Sequence, residues 1–295
     1  MTTRSVYCNG LTNGRILNKL EQQIPNRQAT ILAEGDSWFA IPTPYDLYPT
    51  NILHALDLAK NTGIIDLSVV GDKATDMAQG NQYAQLKEIM VGEPTIKLDA
   101  ILLSAGGNDV IERVEQVIGR YVGPALATAK ARSEVMEAKT LLTVVDTAVV
   151  EVLADIADSI EKICAARGAH NANVPVIIHG YAHVTPREAP ARVFSWLGGV
   201  RGPWLKKRLD DLGIHDPAVQ KQMAQRAIDR LNDFYRTSLV PKIRNAHYLD
   251  LRSYVAEAKL DDLKPTADWN DEIHPGRTSL GRIAAAYAKL LDAFA

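Results

Sequence analysis

Two hydrophobic rhythms take turns along this chain. Short apolar runs at residues 29–33, 64–70, 100–104, 174–179 and 247–251 are each followed by turn-forming or polar residues, as strands buried on both faces should be. Between them the period lengthens to three and four. Leu141, Val145, Ala148, Val149, Val152, Ile156, Ile160 and Ile163 form one helical stripe, with Gly168 placed to stop it. Leu280, Ile283, Ala284, Tyr287, Leu290 and Leu291 form another, beginning near Thr278. Strands alternating with helices predict an α/β fold, a parallel sheet covered on both faces. No repeat, low-complexity tract or interdomain linker breaks the pattern, so residues 1–295 read as one domain.

Two connections exceed what a simple crossover needs. Residues 110–138 add a segment ahead of the Leu141 stripe, and residues 185–242 contain Gly198-Gly199, Gly202-Pro203 and Asp216-Pro217. Insertions of this size on α/β scaffolds either shape a substrate site or add surface helices. Trp196 and Trp204 fall beside the glycines of the second. Together with Trp269, they suit an apolar pocket wall or ordinary packing.

Composition narrows the function classes. With 46% apolar and 23% charged residues the chain is typical of globular proteins. A formal net charge of −2, with Lys and Arg scattered, argues against nucleic acid or anionic membrane as partner. Cys8 and Cys164 are too few for a disulfide framework or a thiolate metal site. The greasiest stretch, residues 141–160, carries Asp146, Glu151, Asp155 and Asp158 and should not span a membrane. No apolar core of signal-peptide length follows Met1, which predicts a cytoplasmic address. Oligomeric state is not written in the residues.

Candidate chemistry sits at the ends of the predicted strands. Gly35-Asp36-Ser37 follows the first run, Gly71 the second and Gly107-Asn108-Asp109 the third, while Asp271-Glu272-Ile273-His274 precedes the last helix. Ligands of open α/β sheets bind beyond the carboxyl ends of the strands, so these residues should share one rim. A serine hydroxyl needs a neutral imidazole to take its proton and a carboxylate to hold the imidazole's tautomer. Ser37, His274 and Asp271 match those roles. Gly35 permits a tight turn off the strand. Gly71 offers a backbone N–H that substrate can approach closely, the Asn108 amide adds a second donor and the Ser37 N–H a third. Asp36 and Asp109 suit bracing by accepting backbone N–H groups. Singly, each feature is bland: Ser37 reads as a helix N-cap, Asn108-Asp109 as a turn, and His274-Pro275-Gly276 as a helix entry. Ser104 is a rival nucleophile whose strand position favours burial, and His54, His170, His215 and His247 have no partner pattern.

Taken in order, the four blocks resemble those of the SGNH (GDSL-type) hydrolase family, over about residues 29–293. The resemblance implies a three-layer, flavodoxin-like sandwich around a five-stranded parallel sheet, with helical insertions. It also implies hydrolysis of a small-molecule or lipid carboxylic ester through an acyl-enzyme on Ser37. Ser37, Asp271 and His274 would form the triad, Ser37, Gly71 and Asn108 the oxyanion hole, and no metal or cofactor would be needed. Trp38-Phe39 stands where the family often has Leu or Ile, making the wall beside the nucleophile large and aromatic. The block around Gly71 is the loosest match. Two rival readings stay open. His179-x-x-x-His183 with Asp36, Asn108 and His274 has the look of a metal-dependent phosphoesterase, but an opening Asp-x-His pair and a histidine directly after the strand-end asparagine are absent. A catalytically silent ligand-binding module could carry the same fold.

Overall fold

The computed structural model describes residues 3–42, 49–122, 138–191 and 202–294. Strands β1 (Thr3–Tyr7), β2 (Ala29–Gly35), β3 (Thr62–Asp66), β4 (Ala100–Ser104), β5 (Val176–His179) and β6 (Ala246–Leu249) pair in the order β1-β3-β2-β4-β5-β6, all parallel. Without β1 the order becomes 2-1-3-4-5 in renumbered strands, the flavodoxin-like order. The α/β sandwich expected from the apolar rhythm is therefore present, and β1 adds a sixth strand at the edge. It escapes a search for apolar runs because only Thr3 and Val6 face inward, while Arg4 and Tyr7 are exposed.

β3 starts and ends earlier than its apolar run. Beyond it the chain stays tied to β2, with Leu67 N–H donating to the Ala33 carbonyl (3.0 Å) and Val69 N–H to that of Gly35 (2.9 Å). The apolar residues at 67–70 thus extend the pairing past the regular ladder and deliver Gly71 to the rim.

The helices are α1 (Asn13–Gln23), α2 (Ser37–Ala40), α3 (Ile52–Ala55), α4 (Ala74–Met77), α5 (Gly80–Val91), α6 (Gly107–Val122), α7 (Ala138–Ala165), α8 (Leu205–Asp211), α9 (Pro217–Phe234) and α10 (Arg277–Asp292). All eight residues of the Leu141 stripe are buried in α7. α6, α7 and α9 pack on one another, and α3 packs on α10. Of the two predicted insertions, the described part of the first is α6 and the start of α7, and that of the second includes α8 and α9. Pro217 sits in the first turn of α9, behind the Asp216 carboxylate that accepts the Ala218 N–H at 2.8 Å. Among the described residues no helix is long and apolar enough to cross a membrane.

Beneath the rim lies an aromatic cluster. His179, fully buried at the end of β5, stacks on Trp38 (centroids 5.8 Å apart) and touches Phe39, Tyr181 and Tyr287. Its Nδ1–H donates to the Gly180 carbonyl at 2.6 Å, and burial pushes its pKa down to about 4. The folded state therefore holds a neutral imidazole. A depressed histidine pKa contributes stability that is present above the unfolded value of about 6.5 and is lost as pH falls towards 4, on the order of 3 kcal/mol. Unfolding free energies from urea titrations at pH 7.5 and 4.5 should differ more in the wild type than in His179→Phe, by about that amount. An equal acid sensitivity in both proteins would show that His179 is not the group responsible.

Candidate active site

The site begins where β2 ends. Gly35 is forced by packing: a Cβ there would sit 2.6 Å from the Ser104 Cβ and 2.9 Å from Phe39. Its backbone is not in the left-handed region, so close approach of β2 to β4 explains the glycine rather than the tight turn that its sequence position implies. Asp36 is the N-cap of α2, and its carboxylate accepts the Trp38 N–H (3.0 Å), the Ser104 hydroxyl (2.7 Å) and the Tyr181 hydroxyl (2.6 Å). Burial pushes the Asp36 carboxyl up while those three donors pull it down. Because Asp36 does the capping, the Ser37 hydroxyl is released from that task. As the first residue of α2, Ser37 also presents an N–H with no acceptor inside the helix. Ser104, the rival nucleophile, is fully buried and spends its hydroxyl on Asp36.

Across the rim stands the loop before α10. Asn270 N–H donates to the His274 carbonyl (2.9 Å), Gly276 N–H to that of Asp268 (2.7 Å), and Trp269 bridges to Pro275. The Asp271 carboxylate folds back to accept the Ile273 and His274 N–H groups, each at 3.0 Å. Its oxygens lie 2.8 and 2.9 Å from His274 Nδ1, and His274 Nε2 lies 2.8 Å from Ser37 Oγ. The carboxylate only accepts, so Nδ1 carries the proton and Nε2 keeps its lone pair for the serine hydroxyl. The side chains of Ser37, His274 and Asp271, 237 residues apart at the extremes, meet in one hydrogen-bonded line. Asp268, a neighbouring carboxylate, instead accepts the Ser279 hydroxyl (2.7 Å) and Arg282 at the start of α10.

The remaining two candidates flank this line. Asn108, in the first turn of α6, lines the same recess as Ser37 and donates its amide to the Asp72 carbonyl at 2.8 Å. Gly71 has φ +91°, and a Cβ there would meet nothing within 4 Å. Its glycine is required by conformation, not by crowding. The turn it makes is braced from below. Asp109 accepts the Ala74 N–H (2.8 Å), as its sequence position suggested. Gln82 bridges Asp72 to Glu34, a fully buried carboxyl on β2 that also takes the Gly35 N–H (2.9 Å). Burial holds Glu34 well above the ordinary carboxylate range.

Ser37 opens into a largely apolar recess walled by Trp38, Val110, Ile111, Val184, Leu205, Leu209, Met223 and Ile228. Trp38 thus forms part of the aromatic wall expected from the sequence, while Phe39 is fully buried in the core. A second, more polar recess adjoins it at Asn108, Ile111 and Ile273 and is lined by Gly71, Lys73, Glu112, Glu115 and Arg208. Trp204 stands edge-on to His274, centroids 5.2 Å apart. Trp269 is packing, fully buried with its indole N–H on the Ala256 carbonyl at 2.7 Å. Trp196 and Gly198-Gly199 lie outside the described residues. His54, His170 and His215 are exposed, and His247 packs on Phe294. His183 pairs with Asp229 at 2.7 Å, apart from His179, and among the described residues no group of three His, Cys, Asp or Glu side chains is placed to hold a metal ion.

Three participants were not legible as such in the sequence. Glu34 had a signal, an acid inside an apolar strand. Glu272, between Asp271 and His274, accepts the N–H groups of Arg187 (3.2 Å), Trp204, Leu205 (2.8 Å) and Lys206 (2.8 Å). Burial pushes its carboxyl up to about 7 against these donors. Arg187, itself 1% exposed, donates to the Asp271 and Glu272 carbonyls and holds that loop from behind. Burial pushes this guanidinium's pKa down.

Among solved structures, the chain is similar to SGNH-type lipases and esterases. The extracellular lipase of Streptomyces rimosus aligns at 13% identity and TM-score 0.49, over 90% of this chain and 100% of its own. A phospholipase A1 from Streptomyces albidoflavus NA297 aligns at 14% identity and TM-score 0.45, over 90% and 99%. The SGNH-hydrolase family esterase AlinE4 aligns at 15% identity and TM-score 0.39, over 90% and 95%. No protein-family model and no curated protein matches the chain.

Proposed function

We propose that this chain is an SGNH-type serine hydrolase that cleaves carboxylic esters. The observation that carries the reading is the continuous contact from Ser37 Oγ through His274 to Asp271 at the carboxyl rim of the sheet. Ser37 Oγ attacks the ester carbonyl carbon as its proton passes to His274 Nε2, and the carbonyl π pair moves onto oxygen. The Ser37 N–H, the Gly71 N–H and the free amide proton of Asn108 receive that oxyanion. Collapse breaks the bond to the alcohol, which leaves with the proton from His274. Water then repeats the sequence on the acyl-serine and releases the acid. Asp271 keeps the imidazole in the productive tautomer throughout and stabilises its cation.

The two recesses divide the substrate. An apolar acyl chain fits beside Leu205, Leu209 and Met223, and a polar alcohol fits the side with Lys73 and Arg208. Turnover of a panel of p-nitrophenyl esters, thioesters and acetylated sugars, with a fluorophosphonate labelling the Ser37 peptide, tests the reading. A protein that folds but neither turns over nor labels is the silent binding module instead.

Asn108→Ala should lower kcat by about 10² to 10³ with little change in KM, the signature of one lost transition-state donor. The variant also frees the Asp72 carbonyl, so part of the loss can come from a shifted Gly71 turn. A change confined to KM would mean that Asn108 holds the ground-state ester.

A further inference from the structure

Helix α8 cannot cap itself. Its N-cap residue is Trp204, which has no side-chain oxygen to offer and makes no cap hydrogen bond with its own side chain. The acceptors come from 66 to 68 residues away, because both oxygens of Glu272 are turned onto the Trp204, Leu205 and Lys206 N–H groups. Glu272 is fully buried and belongs to the loop that carries Asp271 and His274. A fourth donor, the Arg187 N–H, completes its coordination. The helix so held places Trp204 on His274 and Leu205 and Leu209 in the wall of the apolar recess.

We infer that Glu272 is a positioning residue for acyl-chain specificity: it binds α8 to the base loop and thereby sets the wall that an acyl chain meets beside Ser37. This rests on the esterase reading above. Glu272 touches neither Ser37 nor the imidazole nitrogens, and the base loop has its own supports in the Asp271 carboxylate, the Asn270–His274 hydrogen bond and Arg187. Loosening the clamp should therefore disturb the acyl wall more than the proton transfers.

Glu272→Gln keeps the shape but turns one oxygen into an NH₂ group facing backbone donors, so two of the four hydrogen bonds are lost. Above about pH 7, where Glu272 is ionised, charge-assisted bonds of this kind correspond to a change of about tenfold or more when broken. We expect kcat/KM for p-nitrophenyl octanoate to fall by about that factor, mainly through KM, while that for the acetate ester changes by less than about threefold and its pH profile stays in place. Leu209→Ala cuts the wall without touching the clamp. Combined with Glu272→Gln it should cost on octanoate no more than the larger single loss, because both act through one helix. Equal losses on acetate and octanoate, or fully additive losses in the double variant, overturn the proposal. A substrate-free measurement keeps it separate from the esterase reading. Amide hydrogen exchange at Trp204, Leu205 and Lys206 should quicken about tenfold or more in Glu272→Gln, with the Asp271–His274 amides little changed. Unchanged exchange there overturns the clamp whatever the activity, whereas wild-type protein that neither hydrolyses esters nor labels overturns the esterase reading alone.

Discussion

Ser37→Ala should lose ester turnover by on the order of 10⁵- to 10⁶-fold and lose fluorophosphonate labelling altogether, while melting within a few degrees of the wild type. The substitution deletes one hydroxyl, which lies 2.8 Å from His274 Nε2. Asp36 supplies the N-cap of α2, so the helix start does not depend on Ser37. Fold and chemistry are thus separable at this position, which makes the test clean. Mass spectrometry of the labelled peptide checks the site. Labelling that persists in the variant would move the nucleophile elsewhere. Ser104 is poorly placed to inherit it, since its hydroxyl is buried and donates to Asp36.

Asp271→Asn should cost about 10⁴ in kcat. The asparagine can keep an oxygen for the Ile273 and His274 N–H groups, so the loop retains its turn. Its amide group then faces Nδ1, and the imidazole answers by carrying its proton on Nε2. That tautomer has no lone pair for the Ser37 hydroxyl. Steady-state kinetics beside a thermal melt separates this from misfolding: kcat should collapse while the melt barely moves. Asp268→Asn is the control. Asp268 holds Ser279 and Arg282 at the entry to α10, so its loss should appear in stability before it appears in turnover. If the control lost activity and Asp271→Asn did not, the roles would be reversed.

Much of this site was legible because it is written locally. Ser37, Gly71 and Asn108 each follow a strand, and in a parallel sheet all strand ends of one polarity lie on one rim. Their convergence needs no knowledge of side-chain packing. Asp271 and His274 are three apart, within reach of one turn. The two glycines show where local reasoning stops. Gly35 suggested a turn and Gly71 a close approach. In the folded chain Ser104 and Phe39 crowd Gly35, so packing and not a turn explains that glycine, while Gly71 adds a left-handed backbone that its neighbours in sequence do not announce.

What the sequence determined by itself is the alternation of strand and helix, the polarity of the sheet, and the residues presented at its rim. These follow from hydrophobic period and chain order, which are properties of neighbours. The edge strand β1 was lost to that reading because a strand covered on one side needs few apolar residues. Only the tertiary structure decided which polar groups hold the rim in place: Tyr181 on Asp36, Gln82 between Glu34 and Asp72, Arg187 behind the base loop, and Glu272 at the start of α8. A buried polar group must find a partner, yet nothing in its own neighbourhood names the partner. Asp36 and Tyr181 are 145 residues apart, and Glu272 and Leu205 are 67 apart. Those pairings exist only once the sheet has brought distant segments to the same few ångströms.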